Sequence, residues 1–226
     1  MSRRSNLTNQ TVMALVVSAL VAGLAVHALL NGGSSPIPAV TTPTAGSSGP
    51  GPWRMEGGIP IGFERSEAGA TAAAASYSTT GQAMIDLAPT QLHEAVSRYA
   101  ATQTASAQAA TLGDELESLR QVLADGTGRT RYVRSVLATR LDEYTDERAT
   151  VRVWAVGVLW RQGAADPQAD WSTTTFELVW EENTWKVLTE SIESGPAPAP
   201  NGGTPPVNAA ELDRLLDGFE TRGMGR

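Results

Sequence analysis

Two histidines and two acidic clusters are the side chains of this 226-residue chain best suited to moving protons or holding a cation. His93 sits next to Glu94 in a stretch whose apolar register is carried by Leu92 and Val96, which suits a partly exposed helix histidine better than a general base. His27 lies near the end of a long apolar run and reads as an interfacial residue. Asp114, Glu115 and Glu117 fit a solvated helix face, and Asp142, Glu143, Asp146 and Glu147 fit a hairpin turn; neither group has the ligand spacing of a calcium loop. There is no GxxxxGK[ST], HExxH or GxSxG, and no GxGxxG between a strand and a helix. The chain has no cysteine, so disulfides, a thiol nucleophile, thiolate metal sites and a lipidated cysteine are excluded. No catalytic, cofactor-binding or metal-ligating residue is therefore assigned, no cofactor is expected, and the chain reads as non-enzymatic.

The other chemically distinctive set is aromatic. Five of the six tryptophans, Trp154, Trp160, Trp171, Trp180 and Trp185, fall within one stretch. They suit either the filling between a sheet and its helices or the lining of a cupped sheet that holds a ligand.

The elements that must position these residues follow from periodicity. Ser66 is placed to cap a helix over 67–86, with Glu67 at its positive end and a surface made of Ala68, Gly69, Ala70 and Ala72 to Ala75. Pro89 opens a second helix to about Ala101, and Leu112, Leu116, Leu119 and Leu123 stripe a third over 105–123. Four segments rich in Val, Thr and aromatics follow, at 131–141, 149–160, 171–181 and 184–192. The short returns at 143–148 and at Glu182-Asn183 predict hairpins and hence an antiparallel meander. Residues 57–193 therefore form one α+β domain, with helices packed on a curved four-stranded sheet.

Val12 to Leu30 is apolar apart from His27, follows Arg3 and Arg4, and at ~1.5 Å per residue spans roughly 28 Å. It reads as a single-pass transmembrane helix (12–30) behind a cytoplasmic tail (1–11), with the rest outside the cytoplasm. A signal peptide cut near Val26-His27-Ala28 is the rival reading. Residues 31–56 are Pro/Gly/Ser-rich and read as a linker with a reach of roughly 25–30 Å. A second linker (194–207) leads to an amphipathic helix over 208–222, capped by Asn208 and carrying Leu212, Leu215, Leu216 and Phe219. The formal charge of −7 argues against direct nucleic-acid binding.

Gly58, Ile59, Pro60, Gly62 and Phe63, then Gly69, Ala70, Ala72 to Ala74 and Tyr77, are followed much later by Trp154, Trp171, Leu178, Trp180, Glu181, Trp185, Lys186 and Val187. This pattern resembles actinobacterial single-pass membrane proteins of conjugative and integrative elements that carry a nuclear-transport-factor-like domain. In broader architecture it is similar to the bitopic scaffold components of type IV secretion and Gram-positive conjugation systems. Glu64-Arg65-Ser66 departs from the aromatic-histidine-threonine usual after the first motif. The resemblance implies a cone-shaped fold and a membrane-anchored assembly role through contacts with other subunits of a transfer or secretion complex, with self-association into a homo-oligomer left open. Leu212, Leu216 and Phe219, with whichever of Trp180 and Trp185 is exposed, are the expected partner contacts. The alternatives are a surface module binding a small or cell-wall ligand in a Trp-lined cup, and an enzyme of the ketosteroid-isomerase or dehydratase type using a carboxylate or His93 beside a donor such as Tyr132 or Tyr144.

Overall fold

The structure, a computed structural model, describes residues 49–199 and 206–221. The expected tail and transmembrane helix, and the first linker up to residue 48, lie outside the described residues; so do 200–205 of the second linker and the last residue of the expected C-terminal helix. Among the described residues, no helix is long and apolar enough to cross a membrane.

The domain begins with a small antiparallel hairpin of β1 (Arg54–Glu56) and β2 (Ile59–Ile61). Its turn uses Gly57 and Gly58 at φ 59° and 83°. Glycine adopts such backbone values without steric cost. β2 is buried throughout, whereas every residue of β1 is exposed. Helix α1 (Glu67–Tyr77) starts as its sequence dictates, with the Ser66 hydroxyl accepting from the Gly69 N–H at 3.1 Å. It ends well short of the expected residue 86. The Thr79 and Thr80 hydroxyls donate back to the carbonyls of Ser76 and Tyr77, an alternative to continued helix, and a short 3-10 turn (Thr80–Ala83) follows. Helices α2 (Pro89–Tyr99) and α3 (Ala105–Val122) lie where their apolar spacing predicts, and the Leu112, Leu116 and Leu119 stripe is buried.

Strands β3 (Arg131–Tyr144), β4 (Arg148–Arg161), β5 (Ala165–Glu181) and β6 (Thr184–Ser194) form the expected meander. Glu182 and Asn183, at φ 51° and 64°, make the tight two-residue return between β5 and β6. Register shifts at Val136/Ala138, Leu141/Glu143 and Glu177/Leu178 mark bulges, which bend and twist the sheet. The sheet has five strands, in the order β6-β5-β4-β3-β7, because β7 (Glu220–Thr221) joins the β3 edge.

That fifth strand corrects the reading of the C-terminus. The expected helix over 208–222 is only α4 (Ala209–Leu215), capped by the Asn208 side chain on the Glu211 N–H. Gly218 at φ 76° turns the chain onto β3, where the Arg140 guanidinium donates to the Asp217 carbonyl and lies 5.3 Å from the Phe219 ring centre. Leu212, Leu216 and Phe219 are half-buried, and Leu215 is 39% exposed.

Strand parity decides what the helices cover. Ala149, Val151, Val153, Ala155 and Leu159 are buried on the inner face of β4, with Phe176 and Leu178 beside them on β5. Helix α1 packs on this face and contacts β3 to β6; its buried Gly69, Ala70, Ala73 and Ala74 keep its side chains small at the contact. Trp154 has the other parity, as does Trp171; their rings lie 5.6 Å apart, and the Trp154 indole N–H donates to the Pro196 carbonyl in the segment leaving β6. The tryptophans are thus divided between two faces and do not line one cup.

A Cβ added at Gly69 would lie 1.9 Å from the Glu64 carbonyl oxygen, a backbone atom that cannot swing aside. Gly69→Ala is expected to cost about 2–3 kcal/mol by overpacking, seen as a lower urea midpoint; an unchanged midpoint would refute this close approach.

Candidate functional site

The segment that follows the hairpin and the end of α1 are fixed to the start of β6 by three bonds. The Trp185 indole N–H donates to the Glu64 carbonyl at 2.9 Å, the Tyr77 hydroxyl donates to the Trp185 carbonyl at 2.6 Å, and the Gly62 N–H donates to the Thr184 hydroxyl at 3.2 Å. Between the hairpin, α2 and the β5–β6 turn lies an open groove of about 480 Å³. Its cations and anions alternate. Arg54 pairs with Glu56 at 2.8 Å, and Lys186 pairs with Glu182 at 2.5 Å, while His93, Glu94 and Arg98 line the α2 side. The Arg98 guanidinium lies about 3.5 Å from where a Gly57 side chain would begin, and it forms no ion pair among the described residues. Trp53, 42% exposed, lines the groove and packs on Gly62. Such an open, polar groove with an aromatic wall suits an extended, charged segment.

A second polar cluster lies on the face of the sheet that the helices cover. Arg134 is 4% exposed, and its Nε, Nη1 and Nη2 donate to the hydroxyls of Ser78, Tyr132 and Thr174 at 3.1, 3.2 and 3.1 Å. Gly157 makes room for the Tyr132 ring, since a Cβ there would lie 2.5 Å from the phenol oxygen. Glu190, opposite Phe176 on β6, is pushed up to about 8 by burial and the neighbouring Glu115 charge, with Arg134 pulling the other way. Glu115 on α3 is likewise raised to about 8, by burial and by Asp114. Its Oε2, the Oε1 of Gln108 and the Ser172 hydroxyl are buried without a hydrogen-bond partner among the described residues. The described residues contain no group of three or more His, Asp or Glu side chains placed to hold a metal.

The sequence profile of a family described as a domain of unknown function (DUF8175) matches residues 37–204. The chain belongs to the DUF8175 family. No curated protein matches it. Among solved structures, the DUF8175 chain is similar to the beta subunit of benzoate 1,2-dioxygenase from Burkholderia mallei, with 11% identity and a TM-score of 0.32, covering 38% of this chain and 58% of that one. It is also similar to the intermembrane space region of the chloroplast protein ARC6, with 14% identity and a TM-score of 0.30, covering 46% of this chain and 78% of that one.

The residues expected to meet partners are differently placed in this DUF8175 domain. Trp185 is fully buried and cannot be a surface contact. Trp180, its cross-strand partner, packs edge-on against it at 5.3 Å and is overlain by Arg65 at 5.5 Å. Leu212, Leu216 and Phe219 belong to the segment laid on β3 and line neither polar site. The departure at Glu64-Arg65-Ser66 is used in full: a carbonyl for Trp185, a cation over Trp180 and the helix cap. His93 lies in the outer groove, whereas Tyr132 donates nothing to it and instead receives Arg134. Sequence reasoning missed Arg134 and Glu190, and the solvated helix face it assigned to Glu115 is corrected by the burial of that carboxyl. The signal for Arg134 was its inward register between Tyr132 and Val136; the bulge before Glu190 hid its facing.

The two raised carboxyls set a pH dependence. Both titrate at about 8 in the folded protein. A glutamate of the unfolded chain titrates near ~4.3, so between these limits the folded protein binds more protons and stability falls as pH rises. The urea midpoint is expected to be lower at about pH 8 than at about pH 5, and Glu115→Gln with Glu190→Gln should flatten the profile. A wild-type midpoint that rises over this interval would overturn the assignment.

Proposed function

We propose that this protein is a non-enzymatic, membrane-anchored assembly component of a conjugation or secretion-like complex, with a nuclear-transport-factor-like external domain that works through protein–protein contacts. The anchor is the apolar segment 12–30, and the linker gives the domain its reach. The observation that carries this reading is the open groove beside the hairpin. Its floor is rigid because Gly62, Glu64 and Tyr77 are tied to Thr184 and Trp185, and its walls hold both signs of charge. Fixed, alternating charges discriminate between partners by register as well as by shape. The groove replaces Trp185 as the expected contact surface, while the C-terminal residues Leu212, Leu216 and Phe219 serve first to hold their own segment in place.

A small-ligand reading draws on a different observation, the unpaired Ser172 hydroxyl, Gln108 Oε1 and Glu115 Oε2 within the concave interior. The two separate cleanly by substitution. With a photo-crosslinking residue at Ser97 of the full chain in its native membrane, capture of other subunits of the same machine is expected. Arg98→Glu should lower that yield roughly tenfold, the size of a lost charge-assisted contact of ~1.4 kcal/mol. Crosslinks to lipid or to this chain alone would overturn the assembly role.

A further inference from the structure

Among the described residues, four large hydrophobic side chains are strongly exposed: Trp53, Met55, Val133 and Leu215. Two of them stand on or beside β1, the outer strand of the lead-in hairpin. Among the described residues β1 has β2 on one side and no strand on the other, and all three of its residues, Arg54, Met55 and Glu56, are exposed. Met55 is 56% exposed and Trp53 42%, although β2, just beyond the turn, lies wholly in the core. The hairpin therefore presents an apolar thioether and an indole to the outside from a rigid base.

Position along the chain says what meets them. Trp53 donates its indole N–H to the Gly49 carbonyl at 3.1 Å, so the aromatic sits where the described domain receives the preceding chain. Only residues 31–48 separate that point from the apolar run Val12–Leu30. Eighteen residues span at most about 65 Å when fully extended. The hairpin is thus the part of the domain kept nearest to a bilayer holding that run. Tryptophan favours the headgroup layer, where its ring is apolar and its N–H remains bonded. The neighbouring Arg54 side chain is 68% exposed, and its charge is paired with Glu56 at 2.8 Å.

We infer that the β1 hairpin, through Trp53 and Met55, rests in the lipid headgroup layer of the membrane that anchors the chain. This rests on the proposed anchor, and it adds an orientation: the groove opens beside the bilayer surface, where the juxtamembrane segment of another subunit would pass. The contact is interfacial rather than electrostatic. Arg54 is balanced by Glu56, and the chain as a whole carries −7, so a basic patch is not what draws the hairpin down.

The absence of cysteine makes the test direct. Full-length Met55→Cys and Val133→Cys, each labelled with an environment-sensitive fluorophore, are reconstituted into phosphatidylethanolamine–phosphatidylglycerol vesicles carrying a headgroup spin-label quencher. Both sites are exposed, so labelling should leave the fold intact, which far-ultraviolet circular dichroism checks. The label at 55 is expected to be quenched several-fold more than the label at 133, and to lose that difference when Trp53→Ser is added. Equal quenching at both sites in protein that floats with the vesicles would overturn the hairpin contact while leaving the anchor standing. Failure to float would overturn both. Quenching at 55 that disappears as protein is diluted in lipid would assign Met55 to a contact between copies and overturn the inference.

Discussion

The buried indole of Trp185 is the interaction on which the arrangement depends. It fills the end of the sheet, stacks edge-on with Trp180 and Tyr144, and spends its one donor on the Glu64 carbonyl. Its own carbonyl receives the Tyr77 hydroxyl from the C-terminal end of α1. One residue thereby joins the β5–β6 turn, the lead-in hairpin and the first helix. Since a buried indole N–H left without an acceptor costs roughly 1–3 kcal/mol, the approach segment 62–66 has little freedom to leave the sheet. The groove exists because that segment is held in place.

Much of the architecture was legible beforehand, for physical reasons that differ by element. The four long strands and the Glu182-Asn183 return were readable because alternation and turn chemistry are local properties. So were the Ser66 cap and the leucine stripe of α3. The premature end of α1 was not. The alanine run Ala72 to Ala75 favours helix, and the hydroxyl run Ser76, Ser78, Thr79 and Thr80 with Gly81 behind it opposes continuation, by bonds whose net worth sequence alone does not rank. The C-terminal segment failed differently: Leu212, Leu216 and Phe219 do lie at helical spacing, but Gly218 and the Arg140 contact convert the last part into an edge strand. A tertiary partner decided the outcome there.

The candidate sites show the same division. Tryptophan clustering pointed to the right region, yet the parity of β4 places Trp154 on the face away from the helices, since Ala149, Val151, Val153 and Ala155 occupy the inner positions. The interior polar cluster involves long-range neighbours. Arg134 reaches Ser78 and Thr174, which are 56 and 40 residues away, and no spacing rule connects them. Arg134 is a cation buried among hydroxyls, and the charge it meets on β6 is that of Glu190, whose carboxyl burial raises toward neutrality.

Lys186 is the sole lysine of the chain, and its ammonium is folded against Glu182 with its side chain only 5% exposed. Every other basic side chain presented by the domain is a guanidinium or an imidazole. Guanidinium groups stay charged throughout the physiological range and offer planar, forked donors instead of a nucleophilic nitrogen. The described surface is consequently a poor substrate for acylation, reductive alkylation and other amine-directed chemistry, and its positive charge is nearly indifferent to alkaline shifts.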